Sequence, residues 1–132
     1  MNDSDKNLAQ LAEETAKTAY APYSKFRVGA ALITNSGNIY TGCNIENASY
    51  PATVCAEDVA VFKAISEGET KINTLAVACI DADEEPIFPC GVSRQRMSEF
   101  GTEYVIVVHK GESKKYTFEE VLPFDNKIKF SD

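Results

Sequence analysis

Three side chains stand out for the chemistry that their types and spacing allow: Cys55, Glu57 and Cys90. Cys55 and Glu57 fall in Thr53-Val54-Cys55-Ala56-Glu57, and Cys90 falls in Pro89-Cys90-Gly91-Val92-Ser93. Thiolates bind zinc well, and a catalytic zinc takes three protein ligands and leaves one place for water. Zinc brings the pKa of that water toward neutrality, which makes hydrolytic attack available. A carboxylate two residues from a ligand is placed to carry the water proton. The two segments therefore nearly compose a hydrolytic zinc centre, one protein ligand short.

Two helix starts are expected to position these groups. From Thr53 to about Glu67 the residues favour a helix, with Thr53 as N-cap and Gly68 as stop, so Cys55 and Glu57 sit in or just after its first turn. Pro89-Cys90-Gly91 opens a segment that becomes helical toward Phe100. Helix starts present free amides and the positive end of the dipole, which favours thiolates there.

The rest of the chain supplies a sheet. Leu8, Leu11, Ala12, Thr15, Ala16 and Ala19 recur at helical steps, predicting a helix that begins after Asp3 to Asp5 and ends by Pro22. Phe26 to Thr34 and Ile39 to Ile45 flank Asn35-Ser36-Gly37-Asn38 and read as an antiparallel hairpin. Leu75 to Ile80 and Tyr104 to His109 read as buried strands joined through a helix, which implies a parallel crossover. Lys115 to Thr117 suggests an edge strand, and Phe118 to Leu122 a helical turn stopped by Pro123. The sum is a single α/β domain over residues 1–132, a mixed sheet with helices on its faces.

These residues carry a resemblance that covers roughly residues 8 to 124. The chain resembles the small homotetrameric zinc-dependent cytidine deaminases through the two cysteine segments, Phe26-Arg27-Val28-Gly29-Ala30-Ala31-Leu32, Gly42-Cys43-Asn44-Ile45-Glu46-Asn47-Ala48-Ser49-Tyr50 and Arg94-Gln95. The resemblance implies a three-layer α/β/α sandwich with a mixed five-stranded sheet. It also implies hydrolysis of cytidine or deoxycytidine nucleosides to uridine or deoxyuridine at Zn2+. Cys55 and Cys90 are its metal ligands and Glu57 its proton shuttle. Asn44 and Glu46 match the pair that grips the ribose, Phe26 the aromatic against the pyrimidine, and Ala48 and Ala56 further substrate-binding positions. A homotetramer with shared sites is implied as well, with Phe124 nearest to the C-terminal aromatic that reaches a neighbour's pocket.

Two departures fall inside the metal segments. Ser93 replaces a ligand cysteine, and Asp58 replaces an arginine that lies by the thiolates in the family. Positions three apart share a helix face, so Asp58 is expected to fill the vacant place as third ligand, with Ser93 beside the ligands. Zinc with two thiolates and one aspartate keeps the formal charge of zinc with three thiolates. A Ser93 hydroxyl or an extra water as ligand, and an ordinary first-turn carboxylate at Asp58, are the alternatives. The altered set also suggests tolerance of N4-acyl or N4-alkyl cytidines. The reading from another class is a catalytically silent nucleoside-binding oligomer.

Composition agrees with a small uncharged substrate. At 132 residues and 44% hydrophobic content the chain can build a sizeable core. A formal net charge of -7 argues against DNA or RNA as partner, since such binders present Lys and Arg to phosphates. The start, MNDSDKNLAQL, shows no apolar signal region and no run is long enough to span a bilayer, so no membrane and a cytoplasmic location are expected. Reduced thiols follow, with Cys43 and Cys79 acting as small hydrophobes in strands. His109, outside any ligand motif, reads as structural or solvent-facing.

Overall fold

The computed structural model describes residues 1–125. Residues 126–132, which the single-domain expectation includes, lie outside the described residues. Helix α1 spans Asp3–Ala16. Asn2 caps it, its Oδ1 accepting from the Asp5 amide at 2.8 Å, and Asp3 and Asp5 lie at the positive end of the dipole. The helix therefore starts earlier than the apolar stripe suggests. It also stops before Pro22, because Lys17, Thr18 and Ala19 donate their amides three residues back, to Glu14, Thr15 and Ala16.

Strands β1 (Val28–Thr34) and β2 (Ile39–Cys43) form the expected antiparallel hairpin, with Gly37 at φ 91° in the turn. Both are shorter than expected at the end away from the turn. There the Asn44 side chain takes over from the strand ladder: its Oδ1 accepts from Val28 N at 2.8 Å and its Nδ2 donates to the Phe26 carbonyl at 2.9 Å. Phe26 consequently precedes β1.

Helix α2 spans Ala56–Ser66, strand β3 Ile72–Cys79, helix α3 Gly91–Glu99, strand β4 Tyr104–His109 and strand β5 Glu112–Thr117. The single-turn helix α4, Phe118–Val121, opens on a capping box between Thr117 and Glu120. Strand order is β2-β1-β3-β4-β5, with β3 and β4 parallel and the remaining pairs antiparallel. The crossover between the parallel strands runs through α3.

Alternation along the central strands divides the core in two. Ala31, Ala76, Ala78, Ile106 and Val108 face Leu8, Ala9 and Ala12 of α1. Ala30, Leu32, Leu75, Val77, Val105 and Val107 pack with Ala60, Val61, Met97 and Val121 on the other side. The result is the three-layer α/β/α arrangement.

Two glycines fix how closely the layers approach. A Cβ on Gly29 would lie 2.1 Å from the Ala12 carbonyl oxygen, and one on Gly42 would lie 2.5 Å from the Ala56 carbonyl oxygen. Gly42 thereby lets the first turn of α2, which carries the chemistry, rest against β2.

Candidate active site

The first turns of α2 and α3 converge at one end of the sheet. Cys55 is the residue before α2 and Cys90 the residue before α3, each in extended backbone with its thiol free of the helix amides. The Cys55 and Cys90 sulfurs are 3.4 Å apart, and Ser93 Oγ is 3.3 Å from Cys90 Sγ. Glu57, on the first turn of α2, brings a carboxylate oxygen to within 4.8 Å of both sulfurs. Glu57 is 4% exposed and Ser93 is fully buried.

Pro51 explains why α2 begins later than the Thr53 expectation. Tyr50–Ala52 form a short 3-10 turn that ends at Thr53, whose hydroxyl accepts from the Asn47 amide at 3.1 Å instead of capping α2. Val54 then pairs with Ile45. The chain thus reaches Cys55 in extended form.

Burial sets the proton affinities. It pushes the Glu57 carboxyl up to about 7; the neighbouring Asp58 charge adds to the rise, and the Ser93 hydroxyl opposes it. Burial also pushes the Cys55 thiol up to about 12, helped by the Cys90 thiol and the Glu57 charge. A cation reverses this situation for the thiols, because a coordinating thiol is deprotonated. Two converging thiols fit zinc by donor type, with the buried Glu57 carboxylate beside them placed for proton transfer.

Asp58 is not brought to this cluster. Its Oδ2 accepts from Arg96 Nη1 of α3 at 2.5 Å, while Oδ1 is buried with no hydrogen-bond partner among the described residues. The Arg96 guanidinium also lies over the Phe62 ring, 5.3 Å from its centroid. The expectation that places Asp58 beside Cys55 assumes helical backbone at both positions. Cys55 is extended, at φ -73° and ψ 154°, and the Asp58 carboxylate is not among the groups gathered with its sulfur.

A cavity of about 150 Å³ opens onto the cluster. Val28, Asn44, Ala56, Glu57 and the two cysteines line it together with Ile87 and Phe88. Asn44 and Ala56 are thus placed at the cavity. Glu46 lines a neighbouring groove with Ile45 and Asn47, and its Oε1 accepts from the amides of Tyr23 and Ser24 at 3.0 and 3.1 Å. Its Oε2 accepts from the Ser24 hydroxyl. Phe26 and Ala48 are exposed and do not line the cavity. Phe124 is 93% exposed.

Sequence reasoning passed over Ile87, Phe88 and Arg96. Ile87 and Phe88 belong to a polar, proline-containing loop that carries no periodic signal. Arg94 has a supporting role as well: it donates to the carbonyls of Pro89 at 2.7 Å and Val121 at 2.8 Å, fixing the entry to α3. Cys79 is buried in β3, and Cys43 lies in β2 with its thiol 3.7 Å from the Thr18 carbonyl. Neither belongs to the cluster.

Residues 2–109 match the family described as the cytidine and deoxycytidylate deaminase zinc-binding region. A cytidine deaminase from Sporosarcina psychrophila is 45% identical over 125 residues, covering 92% of this chain and 89% of that protein. One from Halalkalibacterium halodurans is 41% identical over 119 residues, covering 88% and 89%. The crystal structure of cytidine deaminase from Burkholderia pseudomallei superposes with a TM-score of 0.83 at 39% identity, covering 94% of this chain and 98% of that one.

Proposed function

From the premise that the chain belongs to the cytidine and deoxycytidylate deaminase family, we propose that it hydrolyses cytidine to uridine and ammonia, with Cys55 and Cys90 holding zinc and Glu57 moving the proton. The observation that carries this reading is a buried carboxylate within 4.8 Å of two converging thiols at the floor of a cavity. Zinc, when bound, supplies a water of lowered pKa and polarises it. Attack at C4 of the pyrimidine needs a proton delivered to N3 and a second one to the departing amine. Glu57, buried within 4.8 Å of both sulfurs, is the carboxylate placed to accept a proton and release it. Its burial beside the thiols speaks against the silent-binder alternative, whose ground is the thiolate missing at Ser93.

Substrate positioning follows from the walls. The Asn44 side chain, the Ala56 backbone and the apolar surfaces of Val28 and Phe88 surround the place where a base would enter. Ribose binding is assigned to Asn44 and Glu46, and further substrate contacts to Phe26 and Ala48, both of which are exposed. Glu46 is already fixed by Ser24 and Tyr23 and needs no reordering to accept a sugar hydroxyl.

Assembly into a homotetramer with shared sites belongs to the same proposal. Its support is the exposure of large apolar residues at Tyr50 (85%), Phe62 (48%) and Phe124 (93%). Sedimentation of the purified protein tests it: a tetramer is expected, and a monomer at all concentrations contradicts it. A cytoplasmic location and a place in pyrimidine nucleoside salvage fit a charge of -7 and free cysteines. Among the described residues no helix is long and apolar enough to cross a membrane.

The test is uridine detection by mass spectrometry after incubation with cytidine, deoxycytidine, an N4-acyl cytidine and an N4-alkyl cytidine. Release of uridine or deoxyuridine from the unsubstituted nucleosides is expected. Its absence from every substrate contradicts the proposal, and the two N4-substituted arms measure how large a leaving group the cavity admits.

A further inference from the structure

The donor set identified above is one protein ligand short of a three-ligand catalytic site, and the structure offers two candidates for the missing group. Asp58 is committed elsewhere. Its Oδ2 is paired with Arg96 at 2.5 Å, and Arg96 is further seated on Phe62, so Asp58 and Arg96 form a neutral unit that ties α2 to α3. Moving Asp58 to a metal would break that pair, and its carboxylate is not among the groups gathered with the two sulfurs.

Ser93 has the opposite character. It is fully buried, it lies on the first turn of α3, and its hydroxyl is 3.3 Å from Cys90 Sγ. Tetrahedral zinc with bonds of about 2.3 Å to sulfur and about 2.0 Å to oxygen needs S···S and S···O edges of about 3.8 and about 3.5 Å. The observed distances of 3.4 Å between the sulfurs and 3.3 Å from Cys90 Sγ to Ser93 Oγ lie within a few tenths of an ångström of these two edges.

We propose that Ser93 Oγ is the third protein donor to the zinc, and that the Asp58–Arg96 pair holds α2 and α3 in register without touching the metal. The inference rests on the reading that Cys55 and Cys90 are ligands. A two-thiolate, one-hydroxyl shell carries one negative charge fewer than a three-thiolate shell. The neutral Asp58–Arg96 pair suits that shell, since no extra thiolate charge remains to be offset at this position.

The experiment loads the metal-free protein with Co(II), a spectroscopic substitute for zinc. It measures affinity by chelator competition, thiolate-to-cobalt charge-transfer absorption, and water-proton relaxation, which counts exchangeable waters on the metal. Melting curves check that each metal-free variant is folded. Cys90→Ala tests the underlying reading: loss of tight binding and of half of the charge-transfer intensity supports it, and unchanged binding overturns it independently of Ser93. With that reading in place, Ser93→Ala is expected to weaken binding at least tenfold and to add an exchangeable water. Ser93→Cys is expected to raise the charge-transfer intensity by about half and to tighten binding. Asp58→Asn, whose amide oxygen can still accept the Arg96 hydrogen bond, is expected to keep both spectrum and relaxation unchanged. Equal relaxation in wild type and Ser93→Ala, or loss of the wild-type spectrum in Asp58→Asn, would overturn the proposal.

Discussion

On the α1 side of the sheet, Leu8, Ala9 and Ala12 meet Ala31, Ala76 and Ile106 in an aliphatic contact made close by Gly29. On the opposite side, α2 and α3 also pack apolar residues, yet at their first turns they bury Glu57 and Ser93 beside two thiols and Asp58 against Arg96. The first face lowers the free energy of the fold by removing apolar surface from water. The second gives up part of that gain to desolvate acids and thiols, which is how a carboxyl comes to have its pKa near 7. Stability and chemistry are thus separated across the sheet, and substitutions on the two faces should fail in different ways.

The largest effect is expected from Glu57→Gln. It removes the proton carrier while preserving shape, so kcat for cytidine should fall by about 10³-fold or more, with the fold intact by circular dichroism. A substitution on the other face should do the reverse. Leu8, 3% exposed, loses its contacts with the sheet in Leu8→Ala; unfolding free energy should drop by about 3 kcal/mol while kcat per folded molecule stays within about twofold. A large loss of kcat in that variant would show that the faces are not independent.

The metal-free protein sharpens the contrast through pH. The Glu57 carboxyl is raised from 4.5 to about 7 in the fold, so the folded state binds its proton more tightly than the unfolded chain does. Its contribution to stability is full below about pH 4.5 and is lost as pH rises through 7, a change on the order of 3 kcal/mol. Denaturant melts of the metal-free protein from pH 4.5 to 8 should show this decline, and Glu57→Gln should flatten it.

The smallest expected effect comes from the exposed pair between Arg27 and Asp81, 2.9 Å apart. The Arg27 hydrogen bond holds the Asp81 carboxyl down at about 2, below its usual 3.8, so this contribution is present above pH 3.8 and lost as pH falls through 2. Asp81→Asn should lower Tm by only about 1–2 °C at pH 7, and by less at pH 2, because the pair is screened by solvent.

Most of the sheet was legible because its strands carry local signals. The apolar run at Tyr104–His109 has the observed bounds, and the turn at Asn35 to Asn38 joins the expected hairpin. Cys55, Glu57 and Cys90 converge because both segments open helices, which proline and capping patterns announce. The misplaced details depend on contacts distant in sequence or on competing caps. Asn2 takes the cap of α1 ahead of the acidic cluster, and Thr53 closes a 3-10 turn instead of opening α2. Asp58 turns to Arg96, a partner on another helix that helical periodicity cannot supply.

The most direct measurement is the origin of the product's oxygen. Cytidine is incubated with the zinc-loaded protein in heavy-oxygen water, and the uridine is analysed by mass spectrometry beside a Glu57→Gln control. The account predicts uridine that carries the heavy oxygen at C4, formed by the unmodified protein and lost with Glu57. Cytidine recovered unchanged from the zinc-loaded protein, or equal uridine formation by the Glu57→Gln protein, would contradict it.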